Sequence, residues 1–100
     1  MNILKITNGK VELRKDSGSL IRTIVSSKAV AADLNAVQDK ILITYESGKV
    51  ELRKDSGSLI RTIVTSKAID ARFNGNDIAV KLSTGKTELR KESGSLIRTI

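Results

Sequence analysis

One hundred residues with 39% apolar content can bury the core of an ordinary domain, but Tyr45 and Phe73 are the only aromatics, so aliphatic side chains must build it. With neither cysteine nor histidine in the chain, disulfide frameworks, thiol, haem and zinc chemistry and any triad that needs an imidazole are excluded. Eighteen Lys and Arg against eleven Asp and Glu leave a net charge of +7, which favours anionic partners or plain solubility.

The N-terminus, Met1–Lys5, is too short and too polar for a signal peptide. No apolar run approaches the roughly 20 residues that span a bilayer. The expectation is a soluble, cytoplasmic chain with no membrane association and no cofactor.

The first segment reads as three strands. Ile3–Ile6 runs into Asn8-Gly9, a strong hairpin signal. Lys10–Arg14 alternates polar and apolar residues at period two, and Leu20–Val25 follows a turn at Ser17-Gly18. With two-residue turns at both places, Leu4 pairs with Leu13, Ile6 with Val11 and Lys5 with Glu12. Val11 then pairs with Ile24, and Leu13 with Arg22. One face carries Leu4, Ile6, Val11, Leu13, Leu20 and Ile24. The other carries Ile3, Lys5, Glu12, Arg14, Ile21, Thr23 and Val25. A sheet with one apolar and one mixed face needs neighbours on both sides.

The same stretch returns. Gly9–Ile24 is identical to Gly48–Ile63, and Gly85–Ile100 differs only by Thr87 for Val and Glu92 for Asp. The copies begin 39 and 37 residues apart, a period that marks a repeat architecture. Carrying the first register over pairs Ile43 with Leu52, Tyr45 with Val50, Val80 with Leu89 and Lys81 with Glu88. Between the copies, Ala29–Asn35 and Ala68–Asn74 each read as one further strand followed by a turn. A full repeat is therefore four antiparallel strands. The units are 1–27, which lacks the first strand, then 28–65 and 66–100.

On these residues the repeat resembles a β-propeller blade of the WD40-like kind. Ile69–Asp77 is similar to the family's inner strand and the turn after it, and Ile78–Leu82 to its second strand. Thr84–Leu89 matches the next turn and strand, and Ser93–Ile100 the last hairpin and outer strand. Arg14-Lys15, Arg53-Lys54 and Arg90-Lys91 stand where the family has Trp-Asp, and the Gly-His pair is absent. The resemblance thus implies propeller architecture rather than WD40 membership, and no ligand site comes with it. A β-trefoil-like repeat is the alternative, since its units are also about forty residues long and come in threes.

Three sets of side chains are candidates for function. Arg14, Arg53 and Arg90, with Lys15, Lys54 and Lys91 beside them and Arg22, Arg61 and Arg98 further on, could array around a ring and bind nucleic acid, another polyanion or an acidic protein. The competing reading pairs each Arg with Glu12, Glu51 or Glu88 nearby. Asp33, Asp39, Glu46, Asp70 and Asp77 could bind a cation or serve acid–base chemistry, but Asp33 and Glu46 align with Arg72 and Ser83, so turn and cap roles fit them better. Ser26-Ser27 and Thr65-Ser66 could line a sugar site, though no aromatic platform accompanies them.

The expected function is non-enzymatic: a structural or interaction module. Propellers close with about four to eight blades, so three blades imply a ring completed by a second copy, a six-bladed homodimer.

Overall fold

The computed structural model describes residues 1–100 and is all-β, with eleven strands in three antiparallel sheets. The first sheet is β1 (Asn2–Thr7), β2 (Lys10–Lys15) and β3 (Leu20–Val25). The second is β4 (Ala29–Leu34), β5 (Lys40–Tyr45), β6 (Val50–Lys54) and β7 (Leu59–Val64). The third is β8 (Ala68–Asn74), β9 (Asp77–Leu82), β10 (Thr87–Lys91) and β11 (Leu96–Thr99). Each is a meander in which strands adjacent in sequence are adjacent in space. The sheets stack along an arc measuring 38 × 26 × 19 Å.

Turn chemistry sets the registers. Asn8 and Gly9, both at positive φ (51° and 81°), make a two-residue turn, so Leu4 pairs with Leu13, Lys5 with Glu12 and Ile6 with Val11, as expected. The corresponding turns of the other sheets hold one residue more. Gly48 N–H donates to the Tyr45 carbonyl and Tyr45 N–H to that of Lys49, with Gly48 at φ 90°, which makes a three-residue loop. Leu52 consequently pairs with Leu42, not Ile43, and Val50 with Thr44, not Tyr45. In the third sheet Leu89 pairs with Ala79 and Glu88 with Val80, one step from the expected Val80 and Lys81.

The turn at Ser17-Gly18 is also a three-residue loop, with Gly18 N–H donating to Lys15 O at 2.8 Å. Leu13 still meets Arg22, because a bulge between Leu13 and Arg14 absorbs the extra residue. A second bulge between Val11 and Glu12 sets Val11 against Val25 in place of Ile24. The faces change accordingly. Val25, expected on the mixed face, joins the apolar cluster, while Leu20 and Ile6 are exposed. The identical sequence of the second sheet bulges at the equivalent two places.

The middle sheet is covered on both sides. Leu42, Val50, Leu52 and Ile63 pack on Ala68, Ala71, Ile78 and Val80 of the third sheet. From its other face, Ala29, Ile41 and Ile43 pack on Val11, Leu13, Ile24 and Val25 of the first. Alanines recur in β4 and β8, the strands that lie together on the inner side of the arc, where small side chains allow close approach. There Asp33 Oδ2 accepts the Phe73 amide at 2.8 Å, tying one inner strand to the next.

Candidate functional site

The repeated arginines form one device three times. Arg14 donates from Nε and Nη2 to Glu12 Oε1 at 3.1 and 2.9 Å, and from Nη1 to the Gly18 carbonyl at 2.6 Å. Arg53 makes the same contacts with Glu51 and Gly57, at 3.1, 2.9 and 2.6 Å. Arg90 repeats them with Glu88 and Gly94. Strand alternation places Glu and Arg on one face two residues apart, and the three-residue loop turns the glycine carbonyl back into reach. The guanidinium forks are thus already occupied by a carboxylate and a carbonyl. Lys15, Lys54 and Lys91 are exposed and form no ion pair, one beside each loop.

Arg22 and Arg61 act between sheets. Arg22 Nη1 donates to the Ser56 carbonyl at 3.3 Å, and Arg61 Nη1 to the Ser93 carbonyl at 3.2 Å. Arg98, the third of the set, is exposed at the open end of the arc.

Glu51 is the most heavily engaged carboxylate. Besides Arg53, it accepts Tyr45 Oη at 2.5 Å and lies 3.2 Å from Lys49 Nζ, which also sits 5.0 Å from the Tyr45 ring centre. Burial alone would raise its pKa, but hydrogen bonds from Tyr45, Arg53 and Lys49 outweigh this and hold it below the usual value of 4.5. Burial, reinforced by Glu51, pushes the Tyr45 phenol up. Glu12 is also lowered, chiefly by the Arg14 hydrogen bond.

Tyr45, Lys49, Glu51 and Arg53 line a polar cleft of about 590 Å³ on the second sheet, together with Ser27, Lys28 and Glu46. Sequence reasoning missed the Tyr45–Glu51 bond. The signal was Tyr45 itself, the one aromatic at a position held by Thr7 and Leu82 in the other copies.

The acidic set stays dispersed. Asp33 bonds the Phe73 amide, Asp39 bonds Asn35, and Asp70 bonds its neighbour's amide and Arg72. No group of three His, Cys, Asp or Glu side chains stands close enough to hold a metal ion. Of the hydroxyl pairs, Ser26-Ser27 borders a neighbouring cleft of about 450 Å³ between the first two sheets, and Thr65-Ser66 is an exposed link between sheets. No helix long and apolar enough to cross a membrane is present.

The outer faces repeat the inner ones. Ile24 and Ile63 are 7% and 5% exposed, whereas their counterpart Ile100 is 76% exposed. Leu89 stands where Leu13 and Leu52 are buried, and Ile3 where Ile41 and Ile78 are buried.

Comparison with solved structures fits this geometry. The chain superposes on the C-terminal WD40 domain of Sif2 with a TM-score of 0.75 at 14% identity, covering 98% of this chain and 30% of that one. It superposes on the Neurospora crassa Pan2 WD40 domain with a TM-score of 0.76 at 11% identity, covering 99% and 32%. For BamB from Moraxella catarrhalis the TM-score is 0.73 at 14% identity, with 99% and 32% covered. No protein-family model and no curated protein sequence matches. The three sheets are blades of a β-propeller. The chain spans about a third of the length of the structures it matches.

Proposed function

We propose that the chain is a non-enzymatic, cytoplasmic interaction scaffold whose two outer blade faces join a second copy head to tail, giving a six-bladed ring. The observation that carries this reading is the exposure of Ile100, a residue buried in both other copies of the same sequence. Head-to-tail contacts between unlike faces form a ring when the rotation closes.

The junction would be a more polar version of the internal interfaces. Lys5 stands where Ile43 and Val80 are buried, and Thr87 where Val11 and Val50 are. Two chains of charge +7 also repel each other. Association is therefore weaker than the packing inside the chain, and salt strengthens it.

Light scattering across micromolar concentrations is the test. The expected mass approaches twice 10.8 kDa as concentration and ionic strength rise. A constant monomer mass over that range overturns the proposal.

A second reading rests on Lys15, Lys54 and Lys91, exposed and unpaired once per blade. They would form a row for a polyanion or an acidic protein surface, with Arg14, Arg53 and Arg90 contributing only by leaving their glutamates. Heparin binding by the triple Lys→Gln variant tests it, with weaker binding and a shallower salt dependence expected.

A further inference from the structure

Within residues 1–100 the first blade has three strands, and the inner edge of β1 is open. In the second and third blades, β4 and β8 pair along the edges of β5 and β9. In the first, β1 pairs only with β2, and no strand of residues 1–100 takes the inner edge. A cleft of about 390 Å³ follows that edge, between Asn2–Leu4 and the Ala32–Leu34 stretch of β4.

One end of the cleft carries a substitute contact. In the second blade the first amide of β5, Lys40 N–H, donates to the side-chain oxygen of Asn35, just beyond the inner strand, at 3.0 Å. Asn2 holds the place of Lys40, since Asn2 pairs with Lys15 as Lys40 pairs with Lys54. Its N–H donates instead to Gln38 Oε1 at 3.0 Å, a side chain reaching back from the next blade. Gln38 sits at φ 64°, in the left-handed region.

The far wall is prepared as well. Asp33 of β4 accepts the amide of Phe73 in β8. Leu34 is the counterpart of Phe73, each pairing with the second residue of the strand that follows, Ile41 and Ile78. The Leu34 amide is therefore placed to receive a carboxylate from a strand lying in the cleft.

We propose that this cleft of residues 1–100 binds an extended polypeptide segment, of the chemistry of the two inner strands, as a fourth β-strand. The two strands that fill the equivalent position define its chemistry: Lys-Ala-Val-Ala-Ala-Asp-Leu-Asn at 28–35 and Lys-Ala-Ile-Asp-Ala-Arg-Phe-Asn at 67–74. The ligand has alanines where the sheets converge and ends in a large apolar residue followed by Asn, which displaces Gln38. An Asp two residues before that Asn meets the Leu34 amide. Main-chain bonds to β1 supply affinity, and the small residues supply selectivity. Both walls belong to one chain, so binding does not depend on ring closure.

The probe is a free peptide with the sequence of residues 28–35, added to the 100-residue chain and followed by amide NMR and hydrogen exchange. The expected result is saturable one-to-one binding that protects amides of Asn2–Thr7 and shifts Leu34. Replacing the peptide's Asp by Ala should weaken binding about tenfold, the loss of one hydrogen bond to a charged group. A peptide with proline at its fourth position should not bind. Gln38→Ala, which frees the Asn2 amide, should tighten binding. Absence of saturation at millimolar peptide, protection confined to β5 or the β11 face, or equal binding of the proline peptide would each overturn the proposal.

Discussion

Lys40 Nζ lies 2.7 Å from Glu92 Oε1, an ion pair that joins the second blade to the third. Glu92 is one of the two departures from identity in the third copy, where Asp16 and Asp55 hold its place. The longer side chain has a cation to meet, whereas the residue in Lys40's place on the first blade is the uncharged Asn2. The hydrogen bond from Lys40 to Glu92 raises the ammonium pKa above 10.5. The pair's contribution is thus complete below 10.5 and is lost as pH rises through the raised value. Glu92→Asp should cost under about 1 kcal/mol in urea unfolding, because both partners are a third exposed. The cost should shrink further in high salt.

Thr44 is buried, and its Oγ1 has no hydrogen-bond partner. It faces the third blade beside Leu42, opposite Val50. Thr44→Val keeps the shape and removes the unsatisfied hydroxyl. It should stabilise the chain by about 1 kcal/mol, read as a higher urea midpoint at unchanged slope.

Gly48 and Gly85 occupy equivalent turns at φ 90° and 93°. A Cβ at Gly48 would meet the Lys67 amide nitrogen at 2.3 Å, where the link to the third blade crosses the turn, while one at Gly85 meets nothing. Both Ala variants share a backbone penalty of about 1–2 kcal/mol. Gly48→Ala should cost about 1–3 kcal/mol more than Gly85→Ala, since main chain must move to admit the methyl. Equal melting curves for the two variants would refute the crossing as the cause.

Glu51 is the counterpart of Glu12, which the expected register puts on a mixed face. It is 5% exposed and accepts bonds from Tyr45 and Arg53. Glu51→Ala should therefore cost about 1–3 kcal/mol by leaving those donors unpaired. That overlaps the lower part of the about 2–5 kcal/mol expected for Leu52→Ala. Because the Glu51 pKa is lowered, its contribution is present above 4.5 and is lost as pH falls through the depressed value. Acid unfolding should begin at higher pH in Tyr45→Phe, which removes one of the bonds that depress it.

Arg22 and Arg61 each bond a carbonyl of the following blade, and residues 1–100 hold no such partner for Arg98. In a head-to-tail ring it would reach the Ser17 carbonyl of the partner copy, the counterpart of Ser56 and Ser93. Arg98→Gln should weaken association several-fold, about 0.5–1.5 kcal/mol, and leave the urea stability of the dilute chain unchanged. Arg61→Gln should do the reverse.

Strand number, meander order and the Arg–Glu pairing were legible because period-two alternation and the copied stretch specify them directly. The first register was legible through Asn8-Gly9. Glu46-Ser47-Gly48 and Ser83-Thr84-Gly85 carry one residue more, and that single residue moved every pairing of β5 with β6 and of β9 with β10 by one step. The bulges beside Val11 and Leu13 left no mark in composition, since they arise from reconciling a three-residue loop with burial of the strand beyond it. The arginine bond to a glycine carbonyl was hidden for the same reason: it exists only once the loop has its shape. The vacant inner edge of β1 was anticipated as a missing strand, but the Gln38 contact depends on a left-handed residue in another blade.

Each arginine clasp spans only two residues to its glutamate and four to its glycine carbonyl. The ion pair that stiffens a blade's outer hairpin is therefore carried entirely within the segment that was copied. A duplicated segment brings its own electrostatic support and needs no compensating change in its neighbour. Such a unit can be multiplied in a gene without retuning, and the order of the blades is left to the inner strands, the part of the repeat that has diverged.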